Sequence, residues 1–135
     1  MSSIAPAQRP LQFLARIARA QRGWRIVLGL LVLLVAFLAV TPVPPRELST
    51  GWDKLNHALA FAALAFAGGL AFPASRRSLV AVCAAVMLFG GAIEIVQAFV
   101  PGRSCELEDL LADALGTVLG TCIAWPIARA VAAPR

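Results

Sequence analysis

Long stretches with almost no polar residue alternate along this chain with short stretches where prolines, glycines and charges collect. Four apolar runs result: Ile26 to Val40, Leu55 to Phe72, Leu79 to Val100, and about Leu110 to Ala128. Breakers stand between them, namely Pro42, Pro44 and Pro45, then Pro73, then Pro101 with Gly102. A hydrocarbon core about 30 Å thick is crossed by roughly 20 residues of helix. Inside it each backbone polar group needs a partner within the protein, which a helix supplies from its own turns. The pattern predicts an all-α integral membrane fold, a four-transmembrane-helix bundle over residues 26–128 with short loops. A basic amphipathic segment, 1–25, precedes it and a short tail, 129–135, follows. A basic start before an apolar run also describes a signal peptide. Here the leader is long and AVTPVPP after the run offers no A-x-A site, so the run is expected to remain as the first helix.

Composition supports the membrane class. The 135 residues are 60% hydrophobic and 14% charged, against about 45–50% and 25% in soluble domains, and the mean hydropathy is +0.82. The basic residues then give an orientation. If the first helix runs outward, Arg9, Arg16, Arg19, Arg22, Arg25, Arg76, Arg77, Arg129 and Arg135 share one side, and only Arg46, Lys54 and Arg103 the other. Nine against three predicts cytoplasmic termini. That bias accounts for the pI near 10.5, so nucleic acid is not expected as a partner. Between Arg9 and Trp24 the helical period sets Phe13, Leu14, Ile17 and Trp24 opposite Arg9, Arg16, Arg19 and Arg22, as in a helix lying on an anionic leaflet.

Five of the seven acidic residues fall between Glu94 and Asp113, flanked by apolar runs. In the predicted topology the outer end of the second helix carries Asp53, Lys54 and His57, and that of the third carries Glu94 and Gln97. The following loop carries Arg103, Glu106 and Glu108, and the fourth helix starts with Asp109 and Asp113. Residues three or four apart share a helix face. Asp53 with His57, Glu94 with Gln97, and Asp109 with Asp113 are so spaced, and three polar pairs at one depth suit a site inside a bundle. Each piece also has a plainer account. Asp53 and Lys54 fit a solvated helix start, Glu106, Glu108 and Asp109 fit first-turn acids favoured by the helix dipole, and His57 fits a hydrogen-bonded polar residue. Glu94 lies inside its run, where a carboxylate has to face the interior, be paired or be protonated.

Along the fourth run Ala112, Gly116, Gly120, Ala124 and Ala128 form a small-residue ridge for close helix approach. Asp109, Asp113, Thr117 and Thr121 form a polar ridge beside it. The first run, without a polar residue, is expected at the lipid-facing edge, and Cys83 and Cys122 as small core residues. Cys105, in the loop, has no evident partner, and there is neither zinc spacing nor a soluble-enzyme signature.

Together DKLNH, then E-x-x-Q, PGR and D-x-x-x-D-x-x-G-x-x-x-G resemble the VanZ-like family over about residues 50–121. These are small bacterial membrane proteins named for an accessory factor in teicoplanin resistance. The resemblance implies a multi-pass protein of the bacterial plasma membrane acting in the cell envelope. Asp53, Lys54, His57, Glu94, Gln97, Arg103 and Asp109 stand at the family's motif positions. Asp113 stands where the family more often has asparagine, and Phe61 where it often has tyrosine. Two function classes lead. One is a membrane enzyme or binding protein acting on an anionic lipid-linked molecule, such as a polyprenyl phosphate or a cell-wall precursor. In it Lys54 and Arg103 hold phosphate, Asp53, Gln97 and Asp113 complete the binding site, and His57 with Glu94 or Asp109 moves a proton. The other is a carrier of a lipid or proton along the polar ridge, and a structural partner in a larger complex stands behind both. No cofactor is expected. A metal ion held by His57, Glu94, Asp109 and Asp113 ranks lower, because Lys54 and Arg103 are expected to balance those carboxylates.

Overall fold

The computed structural model describes residues 20–42, 50–103 and 106–133. All regular structure among them is helical: α1 (Gln21–Val40), α2 (Asp53–Ala71), α3 (Arg76–Gln97) and α4 (Leu107–Ala132). All four are long and apolar enough to cross a membrane. Ile26, Leu30, Leu33, Leu88, Phe99 and Leu115 are among many large apolar side chains turned outward, the surface expected of a bundle solvated by lipid. Much of the N-terminal amphipathic pattern, together with Arg46, Cys105 and Arg135, lies outside the described residues.

The helices begin and end where the local chemistry dictates. At α3 the Ser75 hydroxyl accepts from the Ser78 backbone N–H at 3.1 Å, capping the first turn. Past α3 the chain reverses through Val100–Pro101–Gly102–Arg103, with Gly102 at φ 81° and the Arg103 N–H bonded to the Val100 carbonyl at 3.1 Å. Proline then left-handed glycine in the two central positions is a type II turn. α1 starts at Gln21, five residues before its apolar run, because nothing between 21 and 26 breaks a helix. Arg22, Trp24 and Arg25 are therefore part of α1. Trp24 meets Phe66 of α2 edge-on at 5.5 Å, and Arg25 donates from Nε to the Ala71 carbonyl at 3.1 Å, satisfying an end that has lost its helical partner.

The closest seam joins α2 to α4, two helices that are not neighbours in sequence. The small-residue ridge makes it: Ala112, Gly116, Gly120, Ala124 and Ala128 are all buried. A Cβ at Gly116 would collide with the Ala58 carbonyl oxygen, and one at Gly120 with that of Ala62. The two backbones thus touch with nothing between them. α1 packs on α2 through larger side chains, with Leu28, Leu31, Val32 and Val35 set against the core around Phe61 and Leu64. Its other face is exposed, as an edge helix requires, yet its inner face also closes a cavity that its uniform apolarity did not reveal. Cys83 is half-buried, whereas Cys122 faces outward, a correction to its expected core position. It lies two residues beyond Gly120, on the other side of the helix from the seam.

Candidate functional site

The site forms where α2 begins, α3 ends and α4 begins. At its centre His57, 8% exposed, directs Nδ1 at Asp113 Oδ1, 2.9 Å away, and at Glu94 Oε1, 3.8 Å away. The imidazole lies parallel to the Phe61 ring, with centroids 6.4 Å apart, and Phe61 in turn rests on Phe89 at 6.3 Å. Those rings wall the imidazole from the middle of the bundle. Asp113 has no exposed surface, Asp109 has 3% and Glu94 has 5%. Three carboxylates and one imidazole are thereby withdrawn from solvent within the first two turns of their helices or, for Glu94, the last.

Glu94 also closes the hairpin between α3 and α4, because its Oε2 accepts the Glu106 backbone N–H at 3.1 Å. Its other oxygen has no hydrogen-bond partner, and neither has Asp109 Oδ1 nor Asp113 Oδ2. A buried carboxylate oxygen without a donor is costly, and three of them in one place call for an explanation.

The cations do not supply it. Lys54 turns to the rim, where Nζ is 3.0 Å from Glu106 Oε2 and 2.9 Å from Glu108 Oε2, reaching only to 4.0 Å from Asp109 Oδ1. The type II turn aims Arg103 back across the mouth of the site. Its Nη1 donates to both Asp53 oxygens at 3.2 and 3.3 Å, and its Nη2 donates to the Leu38 carbonyl of α1 at 3.4 Å. The expectation that Lys54 and Arg103 balance the buried carboxylates is thus corrected: their short contacts are with the rim acids Glu106, Glu108 and Asp53. Glu106 and Glu108 do stand at the start of α4 as first-turn chemistry favours, and in addition tie it to α2.

Of the eight residues singled out from the sequence, His57, Glu94, Asp109 and Asp113 come together as the buried cluster, and Asp53, Lys54 and Arg103 form the rim. Gln97, 3% exposed, lines the adjoining cavity. That cavity, about 440 Å³, is lined on its polar side by Asp53, Asn56, His57, Gln97 and Arg103. Leu31, Leu34, Val35, Leu38 and Ala39 of α1 line its apolar side together with Phe61 and Ile93. The α1 wall was not singled out from sequence, since every face of that helix reads alike. Below Asp113 the polar ridge continues only as contacts to sulfur: Thr117 Oγ1 donates to Met87 Sδ at 3.6 Å, and Thr121 Oγ1 lies 3.5 Å from Cys83 Sγ.

A family model described as VanZ/LLP1 matches residues 9–129. No curated protein and no solved structure matches the chain.

Proposed function

Because the chain belongs to the VanZ/LLP1 family, we propose that it binds, and acts by proton transfer on, an amphiphilic molecule of the bacterial cell envelope that carries an anionic head group. A polyprenyl phosphate or a lipid-linked cell-wall precursor has that form. The cavity carries this reading: one continuous space is lined by the apolar side chains of α1 and by the polar groups of Asp53, Asn56, His57, Gln97 and Arg103. Its volume falls in the range usual for small-molecule sites, roughly 300–1,000 Å³. Arg103 can exchange exposed Asp53 for a phosphate oxygen, and its Nε, which has no partner, is a further donor there. His57, held by Asp113, is the group suited to moving a proton at the head.

The cavity is lined by no residue of the polar ridge beyond His57's level, such as Thr117 or Thr121, which favours an enzyme or binding protein over a carrier. The nine-to-three distribution of basic residues supports cytoplasmic termini in the plasma membrane, with the site at the outer leaflet. In that orientation a membrane-impermeant thiol reagent added outside labels Cys105, and labelling of a cysteine introduced between Arg76 and Arg77 instead reverses it. Glycopeptide sensitivity is the phenotype to follow in cells.

Native mass spectrometry of the purified protein tests the ligand. A co-purified phospholipid or polyprenyl phosphate is expected, and it should be lost in Ala39→Phe, whose ring fills the space beside Leu38. An adduct retained undiminished in that variant, or no lipid on the wild type, contradicts the cavity as its seat.

A further inference from the structure

We infer that His57, Glu94 and Asp113 form a binding site for one divalent first-row transition-metal ion. The three residues come from three different helices and are all buried, and they offer one ligand atom each, all within 4.8 Å of one another. Donors around an ion bound at about 2.0–2.2 Å lie roughly 3.0–3.5 Å apart. The observed separations from His57 Nδ1, 2.9 Å to Asp113 and 3.8 Å to Glu94, bracket that spacing. Glu94 Oε1 and Asp113 Oδ2, each on a side chain at least nine-tenths buried, have no hydrogen-bond donor. A second triple, Asp53, His57 and Asp109, shares the histidine, but Asp53 is exposed and held by Arg103.

Charge points the same way. With Lys54 and Arg103 drawn to the rim, an imidazolium alone would offset one of the three buried carboxylates. A dication held jointly by Glu94 and Asp113 offsets two and leaves the imidazole neutral, the form that ligates. Glu94 Oε1, the orphan oxygen that faces the histidine, then has a partner, which repays part of its desolvation. One nitrogen and two carboxylates select zinc, manganese or iron(II) over magnesium or calcium, which prefer oxygen alone. The inference needs no lipid, and its test is independent of the one above.

The chain has a single histidine, which makes the test specific. Full-length protein carrying a histidine-free tag is purified in detergent, stripped with chelator, desalted, and titrated with Co²⁺, Mn²⁺ and Zn²⁺. Metal content is read by mass spectrometry after gel filtration, and Cu²⁺-loaded protein by pulsed EPR. About one equivalent per chain is expected, with the coupling of an imidazole's remote nitrogen, which in this chain only His57 carries. Glu94→Gln and Asp113→Asn should each weaken binding by more than about tenfold, while Glu108→Gln on the rim should not change it. Folded wild-type protein that takes up no metal, bound metal without imidazole coupling, or variants that bind as tightly as wild type would each overturn the site. The wild-type measurements decide the matter even if a variant fails to fold.

Discussion

Helices α4 and α1 both pack on α2, and they do so by opposite means. α4 presents glycine and alanine, meets the α2 backbone directly, and carries two of the buried acids. α1 presents leucine and valine, contributes no side chain to the buried charge cluster, and stands off far enough to leave a cavity. Without a hydrophobic force between helices in lipid, close backbone approach and polar contacts carry the association. One seam is therefore fixed and holds the charges in register. The other can yield, and the cavity lies along it.

The strongest challenge to this contrast is Gly116→Leu. A side chain there cannot fit against the Ala58 carbonyl, and overpacking beyond about 3 kcal/mol is expected. Little folded protein should reach the membrane by immunoblot, whereas Leu30→Ala on the exposed face of α1 should leave the level unchanged. Equal levels would mean that the α2–α4 seam is not the fixed one. Asp113→Ala comes next. It strips His57 of its short partner and should lower stability by about 3–5 kcal/mol, read as a fall in the detergent-solubilised melting temperature that Asp113→Asn largely avoids.

On the yielding side, Ala39→Phe has a cavity to enter and should cost no more than the roughly 1–3 kcal/mol of ordinary overpacking. A collapse as large as that of Gly116→Leu would show α1 to be as rigid as α4. Glu94→Gln retains an acceptor for the Glu106 N–H, so protein level should stay near wild type while the envelope phenotype disappears. His57→Asn should follow it. The smallest change in level belongs to Arg103→Lys, which keeps the charge but loses the fork that spans Asp53 and Leu38. Activity should fall with it, and normal glycopeptide sensitivity in all three variants would leave the cluster with a purely structural role.

The fixed seam was legible in the sequence, and the yielding one was not. Small residues every fourth position mark the face of α4 that another helix approaches closely, because only they permit backbone contact, though they do not say that this helix is α2. The polar pairs were legible as well, since spacing of three or four residues fixes which side chains share a face. What spacing could not assign was partnership across helices. Lys54 lies one turn from His57, yet its long stem reaches outward to Glu106 and Glu108 instead of inward. That choice depends on how far α4 is displaced along α2. The Pro101–Gly102 turn does hint that Arg103 folds back, but its target on α1 is a carbonyl, which no side-chain pattern marks. Nor does a helix of leucine and valine say which face meets lipid and which meets a hollow.

The seam between α2 and α4 also bears on how the protein is made. Chains emerge from the ribosome N-terminus first, so α2 and α3 enter the bilayer before the ridge that fits them exists. Until Gly116 and Gly120 arrive, the Ala58 and Ala62 stretch of α2 faces lipid or a placeholder. Until Asp113 arrives, His57 waits beside Glu94 alone. Completion of the bundle thus waits for the last helix, and a product ending before Leu107 would hold three inserted helices, α1 packed on α2, with the α4-facing surface of α2 still uncovered.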